Sequence, residues 1–502
     1  MRIFYATITL LAFCSYADAM FIFRGSGGGT PEATCVGTAY YVSATGSDAA
    51  DGLSVDTPWQ TITKVNGAAA TLVPSDCVFF KRGDTWGSTL MPETQGLLIP
   101  DSGTAGNPIT FGAYGTGDKP VFDGTGVNLP QNHGLIRGDS KSYITFQDIR
   151  VQDSGIGDAD ENPGIGFYAG TNLIVQRCEV ANTESSGIKL NTSSSVSVLN
   201  NNVTMTNCED ASEQISLSAV NGFEVAYNES YTNCDPSFSP PGGAGIDSKQ
   251  GSKNGSIHHN NVYDIAGGSN GIYVDAYDQD TSNIEVYNNR VHNISGAAGI
   301  QIGAELGGAL HDILVHHNIV SLASNGGINL HNAGPTGSPV YDIKIFNNTV
   351  YQNGTNGTNY LGGARIFDQM LEPTSGYPGV TFKNNIFANG YYFQIGFDPP
   401  VEADDIVMDY NVIYGTHADS GGFTAITETT HPNSHPITID PLFTNAAGGD
   451  FTLQAGSSAL NVCDNSVWQG TANVVDYNGV AITDGSGNIV APGGTVNCGA
   501  FE

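Results

Sequence analysis

Acidic, basic and phenolic side chains are concentrated between residues 247 and 305 of this 502-residue chain. They are Asp247, Lys249, Tyr273, Asp275 and Glu305. Such groups can take, donate or hold a proton beside a reacting bond. A plain solvated face would scatter such groups along the chain, whereas these fall on neighbouring repeats. We therefore treat these five residues as candidate catalytic residues.

One chemistry open to this set is cleavage by elimination next to the carboxylate of a uronic acid. A lyase of this kind needs a base, and a cation that stabilises the enolate. Lys249, with a pKa lowered by burial, or Tyr273 could be the base. Asp247, Asp275 and Asp278 could hold calcium, which takes several oxygen ligands. Calcium is therefore a candidate cofactor.

A second chemistry is hydrolysis of a glycosidic bond by a pair of carboxylates. If Asp247 and Asp275 lie on adjacent strands with an offset of two residues, their Cβ atoms are about 8 Å apart. That distance lies within the roughly 6.5–9.5 Å used by inverting enzymes, whereas Glu305 could partner Asp275 in a retaining arrangement. A non-catalytic alternative is an ordinary ion pair between Lys249 and Asp275 on neighbouring strands.

A repeat of about 30 residues would position these side chains. Between residues 198 and 411, an apolar residue is followed three positions later by asparagine in eight successive repeats. The eight are Asn201, Asn228, Asn260, Asn289, Asn318, Asn348, Asn385 and Asn411. In stacked coils such amides can bond from one coil to the next, and asparagine tolerates a left-handed backbone. The repeat therefore predicts a solenoid with an asparagine ladder, and Cys178 as a buried unpaired thiol on the rung before it.

Each repeat also contains a strand that usually follows glycine and begins with isoleucine, as at Ile246, Ile272 and Ile300. Alternation directs the residues one and three positions after that isoleucine outward, so that they form two columns along the solenoid. Besides the candidate catalytic residues, these columns hold Lys189, Gln301, Asn329, His331 and Arg365. We predict that these five side chains bind substrate, with Lys189 and Arg365 receiving sugar carboxylates.

The two ends of the chain carry further motifs. The segment from Tyr40 to Asp51-Gly52-Leu53 and Pro58-Trp59, with the ending Cys498-Gly499-Ala500-Phe501, resembles the first coil and closing segment of secreted proteins of the pectate-lyase-like superfamily. This resemblance implies an all-β, right-handed parallel β-helix. It implies a fold and not a reaction, because such helices serve as lyases, hydrolases, epimerases, adhesins and tail spikes.

The group Asp247-Ser248-Lys249, followed one repeat later by Asp275 and Asp278, is similar to the calcium-and-lysine arrangement of family 9 pectate lyases, with different spacing. That likeness supports the elimination chemistry and the calcium set. We therefore expect the candidate catalytic residues to lie in a groove across the first-strand face.

The chain divides into four segments. Arg2, an apolar run and Ala17-Asp18-Ala19 indicate a cleavable secretory signal at residues 1–19, followed by a Gly-rich leader at 20–37. We expect the β-helix at 38–440 and a closing segment packed on it at 441–502. No later apolar stretch reaches the roughly 18 residues of a membrane span. In an oxidising compartment we predict disulfides Cys35–Cys77, Cys208–Cys234 and Cys463–Cys498.

The formal net charge of −32 disfavours nucleic acid as a partner. It also disfavours an anionic polysaccharide unless a cation or a local basic patch intervenes. Two histidine pairs, His258-His259 and His316-His317, precede ladder asparagines, and we interpret them as surface or turn residues that cannot chelate together, because adjacent strand side chains point to opposite faces.

From these features we expect a secreted protein that acts on an extracellular polysaccharide. A lyase for a uronic-acid-containing polysaccharide, pectate-like or alginate-like, is the preferred reaction, and a glycoside hydrolase on the same face is the second. The alternative from another class is a non-catalytic extracellular β-helix that acts as an adhesin, a carbohydrate-binding protein or a structural protein.

Overall fold

The computed structural model describes residues 34–68, 72–92, 94–155, 161–206, 212–232, 243–266, 268–332, 338–355, 362–367, 379–398, 406–415, 424–425, 435–464, 477 and 495–501. Every candidate site residue lies within these ranges. The predicted signal peptide, most of the leader and the predicted Cys208–Cys234 pair lie outside the described residues.

The described residues are built almost entirely of short strands. In the N-terminal half these are β1 (Ala39–Val42), β2 (Cys77–Lys81), β3 (Thr85–Trp86), β4 (Leu97–Leu98), β5 (Ile109–Tyr114), β6 (Val121–Asp123), β7 (Ile136–Asp139), β8 (Ile144–Gln147), β9 (Arg150–Gln152), β10 (Ile165–Tyr168), β11 (Thr171–Gln176), β12 (Glu179–Thr183), β13 (Ile188–Asn191), β14 (Ser194–Leu199), β15 (Asn202–Thr206), β16 (Ile215–Ser218), β17 (Asn221–Ala226), β18 (Glu229–Tyr231), β19 (Ile246–Lys249) and β20 (Lys253–His258).

In the C-terminal half the strands are β21 (Asn261–Tyr263), β22 (Ile272–Tyr277), β23 (Thr281–Tyr287), β24 (Arg290–His292), β25 (Ala298–Glu305), β26 (Leu310–His316), β27 (Ile319–Ser321), β28 (Gly326–Asn332), β29 (Val340–Phe346), β30 (Thr349–Tyr351), β31 (Gly362–Phe367), β32 (Val380–Lys383), β33 (Ile386–Ala388), β34 (Phe393–Asp398), β35 (Ile406–Asp409), β36 (Val412–Tyr414), β37 (Thr424–Ala425), β38 (Phe443–Asn445), β39 (Asp450–Leu453), β40 (Cys463–Asp464) and β41 (Thr495–Val496). Helix α1 spans Ile62–Asn66, and a 3₁₀ turn spans Ala446–Gly448.

Three long sheets, which we name PB1, PB2 and PB3, wind around one core. Among the described residues PB1 has 12 strands, from β4 through β7, β10 and every third strand to β34 and β37. PB2 has 13 strands, from β1 and β2 through every third strand to β35, and PB3 has 12, from β3 to β36. All neighbours pair in parallel except β34 and β37. The predicted right-handed parallel β-helix is therefore confirmed.

The core is a continuous stack of aliphatic and aromatic side chains. Isoleucines that begin PB1 strands, such as Ile246, Ile272 and Ile300, are fully buried. They stack on successive coils, since Ile246 pairs with Ile272 and Ile272 pairs with Ile300. Because the side-chain period of a strand is two, this inward register directs the two predicted columns outward. No helix in the described part of the chain is long and apolar enough to cross a membrane.

The asparagine ladder lies in the turns between PB2 and PB3. Asn289, for example, donates from Nδ2 to Asn318 Oδ1 at 3.0 Å and to the carbonyl of Ile257 at 2.8 Å, while its Oδ1 accepts from Asn260. The residue before each ladder asparagine has a positive φ, 53° at Asn288. The ladder is confirmed.

The predicted buried thiol is confirmed as well. Cys178 is free and buried on the rung before the ladder, and its N–H donates to Asn201 Oδ1. Burial raises the pKa of the Cys178 thiol to about 12. The thiol is therefore inert at neutral pH.

Both predicted disulfides within the described residues are present. Cys35–Cys77 ties the residues before β1 to the first coils, and Cys463–Cys498 closes a loop in the C-terminal segment. That segment packs along the last coils, where Lys383 pairs with Asp464 at 2.5 Å.

Of the histidine pairs, His259 and His317 are turn residues as predicted, whereas His258 and His316 are buried, and the expectation that adjacent histidines point apart was wrong. His258 and His316 end PB2 strands in a buried stack of rings that includes Tyr287, with centroids 4.6 and 5.1 Å apart. His259 and His317 follow in the left-handed turn, which brings the Nδ1 atoms of each pair within 2.8 and 2.9 Å. Adjacent side chains diverge only on an extended strand, and these pairs span a strand end.

Candidate functional site

The two columns of PB1 align as the repeat predicts. Asp247 pairs with Tyr273, which pairs with Gln301, and the column continues through Asn329 to Arg365. Lys189 lies two rungs before Asp247 in the same column. In the second column Asp275 pairs with Gly303, which pairs with His331. The candidate residues therefore share one face.

Glu305 lies on a strand of PB1. It is the last residue of β25 and pairs with Tyr277. Glu305 is therefore one rung and two residues from Asp275, and Asp275 has the same offset from Asp247. Strand rise and strand spacing make each step of this carboxylate diagonal about 8 Å between Cβ atoms.

A residue that the sequence analysis missed completes the cluster. Glu213 lies before β16, and its Oε1 accepts a hydrogen bond from the ammonium group of Lys249. Its Oε2 accepts from Ser216 Oγ at 2.7 Å. Lys249 Nζ is also 3.7 Å from Asp247 Oδ2. The ion pairs of Lys249 within the described residues are thus with Glu213 and Asp247, and Lys249 acts on Asp275 only through its charge.

The pKa of Lys249 shifts in the direction opposite to our expectation. Burial lowers it, but the negative charges of Glu213 and Asp247 outweigh burial, so the pKa lies above the ordinary value. Burial and the charges of Asp275 and Glu305 raise the pKa of Tyr273. Lys249 and Tyr273 are therefore both protonated at neutral pH, which makes them poor bases.

The buried carboxyl groups shift in the direction that an acid catalyst needs. Burial, and then the charge of Glu305, raises the pKa of Asp275 to about 8. Burial also raises the pKa of Asp247 well above its ordinary value; the charge of Lys249 opposes this rise, and the charges of Glu213 and Asp275 add to it. Both side chains belong to residues that are only 3% exposed. One oxygen of each, Oδ1, has no hydrogen bond among the described residues.

Tyr273 holds the outer carboxylate of the diagonal. Its hydroxyl donates to Glu305 Oε1 at 2.7 Å, and Glu305 remains partly exposed at the strand end. The phenol reaches Glu305 across Gly303, where a Cβ atom would lie 2.9 Å from the Tyr273 hydroxyl and 2.8 Å from the carbonyl of His331. Glycine is therefore needed at 303 for this hydrogen bond to form.

We predict that Gly303→Ala lowers kcat about 10- to 100-fold, because displaced Tyr273 no longer fixes Glu305. Steady-state kinetics would measure this on whichever glycan the assay under Proposed function finds to be the substrate. Gly87→Ala is the matched control, since a Cβ atom at Gly87 meets nothing within 4 Å. Equal kcat values for wild type and Gly303→Ala would contradict the role given to Tyr273.

The calcium ligands predicted from the sequence do not form a cage. Asp278 follows β22 with a φ of 62° and is exposed, whereas Asp247 and Asp275 are buried, with Lys249 beside Asp247. Within the described ranges, no three His, Cys, Asp or Glu side chains are grouped to hold a metal ion. Calcium dependence stays a prediction of the uronate-lyase alternative alone, and the chelator in the assay below tests it.

The predicted binding residues extend the face on both sides of the cluster. Asn329 is 6% exposed and its Oδ1 has no hydrogen bond among described residues. Burial lowers the pKa of His331, and neighbouring Arg365 lowers it further, against the charge of Glu305. Lys189 lies on the other side of the cluster, 4.0 Å from the carboxylate of Glu161.

The face also begins earlier than the sequence analysis placed it. Arg137 precedes Gly166 in the first column. Its guanidinium is 4.8 Å from the ring centroid of Tyr168 and is fixed by Asp139 at 2.6 Å. The sequence pattern that marks the PB1 strands, a glycine directly before isoleucine, is missing here, because Leu135 precedes Ile136. The pattern therefore does not reveal Arg137.

Comparison with known proteins gives one short and one long sequence match. A stretch of 106 residues is 42% identical to lacto-N-biosidase of Bifidobacterium longum, which covers 20% of this chain and 6% of that protein. The chain therefore spans only a small part of that relative. The uncharacterized protein YwoF of Bacillus subtilis is 25% identical over 467 residues, 84% of this chain and 92% of YwoF. No protein-family model matches the chain.

Solved structures share the architecture at low sequence identity. The A-module of mannuronan C-5 epimerase AlgE6 from Azotobacter vinelandii has a TM-score of 0.50 and 13% identity, and covers 76% of this chain and 94% of its own. Pectate lyase Pel9A has a TM-score of 0.48 and 18% identity, with coverage of 92% and 96%. At these identities the likeness concerns the fold alone, which is a parallel β-helix.

Proposed function

We propose that this chain is a secreted glycoside hydrolase that acts on an extracellular polysaccharide. The observation that carries this proposal is the carboxylate diagonal, in which Asp275, with its pKa raised to about 8, lies beside Glu305. A proton donor and a second carboxylate are the two groups that glycoside hydrolysis requires. The short match to lacto-N-biosidase and the disulfides support a carbohydrate substrate and an extracellular setting.

In the proposed mechanism Asp275 is the general acid. At neutral pH it is protonated and gives its proton to the glycosidic oxygen as the bond from the anomeric carbon to that oxygen breaks. Glu305, held by the Tyr273 hydroxyl, takes a proton from the water that attacks the anomeric carbon from the opposite face. The two Cβ atoms are about 8 Å apart, and carboxyl groups at a similar separation leave room for this water, so we expect inversion at the anomeric carbon.

Lys249 and Glu213 are positioning residues in this account. Their ion pair, together with Asp247, keeps a buried network of charges beside Asp275. Besides protonated Asp275, the centre holds three carboxyl groups around one ammonium group, so it disfavours a sugar that carries its own carboxylate. We therefore expect a neutral sugar at the cleaved bond, which differs from the uronate preferred on sequence grounds.

The uronate lyase predicted from the sequence is the second candidate. Lys189 and Arg365 favour it, since they place positive charge on the same face, two rungs before and four rungs after Asp247. The raised pKa values of Lys249 and Tyr273 oppose it, because neither group is a free base at neutral pH.

An assay separates the candidates. The chain from residue 20 onward would be incubated with neutral glycans, pectate and alginate, with added calcium or with a chelator. Reducing ends and absorbance near 235 nm would be followed together. We expect reducing ends to form from a neutral glycan without absorbance and without loss on chelation. Both signals rising on a uronate would establish the lyase, and silence across the panel would favour a non-catalytic glycan-binding role.

The pH dependence of kcat gives an independent test. We predict that activity falls as the pH rises through about 8, because Asp275 then loses the proton that it must donate. Asp278→Asn removes an exposed carboxylate nearby, and this variant should show the same fall in activity through about pH 8. Activity that instead increases through pH 8 would indicate a base such as Lys249 or Tyr273, and would contradict the assignment of Asp275.

A further inference from the structure

Two adjoining surface cavities lie on the side of the β-helix formed by PB3 and the turns that precede it. The larger has a volume of about 470 Å³ and includes Lys119, Arg150 and Glu179 in its lining. The smaller has a volume of about 290 Å³ and is lined by Arg82 and Arg177, with Lys119 and Glu179 shared by both. The candidate catalytic residues lie on PB1, so these cavities belong to a different face.

Four cations gather at this place, together with the four carboxylates Asp118, Asp123, Asp148 and Glu179 in the two linings, so the place is far less acidic than the chain as a whole. The chain has 17 Lys and Arg against 49 Asp and Glu, and four of those 17 line the two cavities. All four, Arg82, Lys119, Arg150 and Arg177, are half-buried on consecutive early coils. In a chain with a net charge of −32, a random surface site would be acidic.

The carboxylates at this place do not pair fully with the cations. Glu179 is shared, at 2.6 Å from Lys119 and 3.7 Å from Arg150. Asp148 accepts two hydrogen bonds from Arg177, at 3.0 and 2.7 Å. The guanidinium of Arg82 has no hydrogen bond or ion pair with any residue that the structure describes. The smaller cavity therefore has three cations and two carboxylates in its lining, a net charge of +1.

We propose that the smaller cavity binds the carboxylate of an acidic saccharide. Arg82 offers a planar fork of donors that matches a carboxylate, and Lys119 supplies a second positive charge. The side-chain amides of Asn200 and Asn202 line the same cavity and can bond to sugar hydroxyl groups. The site would hold an acidic glycan away from the catalytic face, independently of the reaction that occurs on PB1.

Titration with sodium glucuronate and with glucose at constant ionic strength tests this proposal. Calorimetry and saturation-transfer NMR would be used on the chain carrying Asp275→Asn, so that turnover cannot interfere. We expect glucuronate to bind and glucose to bind far more weakly. Arg82→Gln with Lys119→Gln should lower the affinity for glucuronate at least about tenfold. Lys253→Gln, an exposed cation on PB2, is the matched control and should change nothing.

Each other outcome overturns the proposal. Equal binding of glucuronate and glucose, or no binding of either, excludes a carboxylate site. Affinity that the double variant leaves unchanged places the ligand elsewhere. Binding of sulfate without glucuronate would identify a site for inorganic anions only. If the double variant fails to fold, Arg82→Gln alone keeps the test, because the Arg82 guanidinium forms no ion pair among the described residues.

Discussion

Asp275→Asn is expected to lower kcat by about a thousandfold and, at the same time, to make the chain more stable. The loss of activity follows from removal of the proton donor, since general acid catalysis contributes about 10²- to 10⁴-fold. The gain in stability follows from burial, because ionised Asp275 is desolvated beside Glu305, which is why its pKa is raised to about 8. An amide of the same shape has no charge to desolvate.

The sign of the stability effect depends on pH. Asp275 has a pKa near 3.9 in the unfolded chain and about 8 in the folded chain. Its contribution to stability is therefore fully present below about pH 4 and is lost as the pH rises through 8. Asp275→Asn should match wild type near pH 4 and exceed its free energy of unfolding by up to about 5 kcal/mol near pH 8, since each pKa unit corresponds to about 1.36 kcal/mol. Denaturant titrations at the two pH values measure this difference.

Asp278→Asn serves as the control, since it removes a carboxylate that is exposed in the turn after β22. It should change neither kcat nor stability beyond about 0.5 kcal/mol. If Asp275→Asn destabilised the chain at pH 8 without affecting any activity, Asp275 would be one half of a structural ion pair and not a catalytic group.

Asn289→Ala should destabilise the β-helix by about 3 kcal/mol or more. The side chain of Asn289 makes hydrogen bonds to Asn260, Asn318 and the carbonyl of Ile257, and the residue is fully buried. Alanine would leave partners on both neighbouring coils unsatisfied, and each buried polar group without a partner costs about 1–3 kcal/mol. Thermal and denaturant unfolding would measure the loss.

Asn283→Ala is the matched control for Asn289→Ala. Asn283 also bonds to an asparagine on the preceding coil, with Nδ2 2.7 Å from Asn254 Oδ1, but that pair is exposed. Water can replace its hydrogen bonds, so the loss should stay below about 0.5 kcal/mol. Similar losses of stability for the two variants would mean that the buried ladder stabilises the β-helix no more than an exposed asparagine pair does.

The fold was predictable because its signals are periodic. Every ladder asparagine and both PB1 columns follow from an alternation of two residues and a repeat of about 30, and the observed register places Asp247, Tyr273 and Gln301 on successive rungs as predicted. Shifting the assignment of inward and outward residues by one position would have exchanged the two faces of each strand. The isoleucines, which must lie in the core, exclude that shift.

The site was less predictable because its chemistry depends on residues outside the periodic positions. Glu213 lies in a turn before β16, where the repeat assigns no column. Its carboxylate, together with that of Asp247, reverses the direction of the Lys249 pKa shift and thereby removes the preferred base of the lyase. The expectation that adjacent histidines point to opposite faces failed for a similar reason, because His259 and His317 lie in left-handed turns where strand alternation does not hold.

The central claim is that water, and not elimination, cleaves the glycosidic bond at the carboxylate diagonal. The most direct measurement is digestion of the substrate found in the panel in water enriched in heavy oxygen, with mass spectrometry and proton NMR of the first products. We predict that each new reducing end carries one heavy oxygen atom and has the inverted anomeric configuration, and that Asp275→Asn abolishes these products. Unlabelled, unsaturated products would contradict the account.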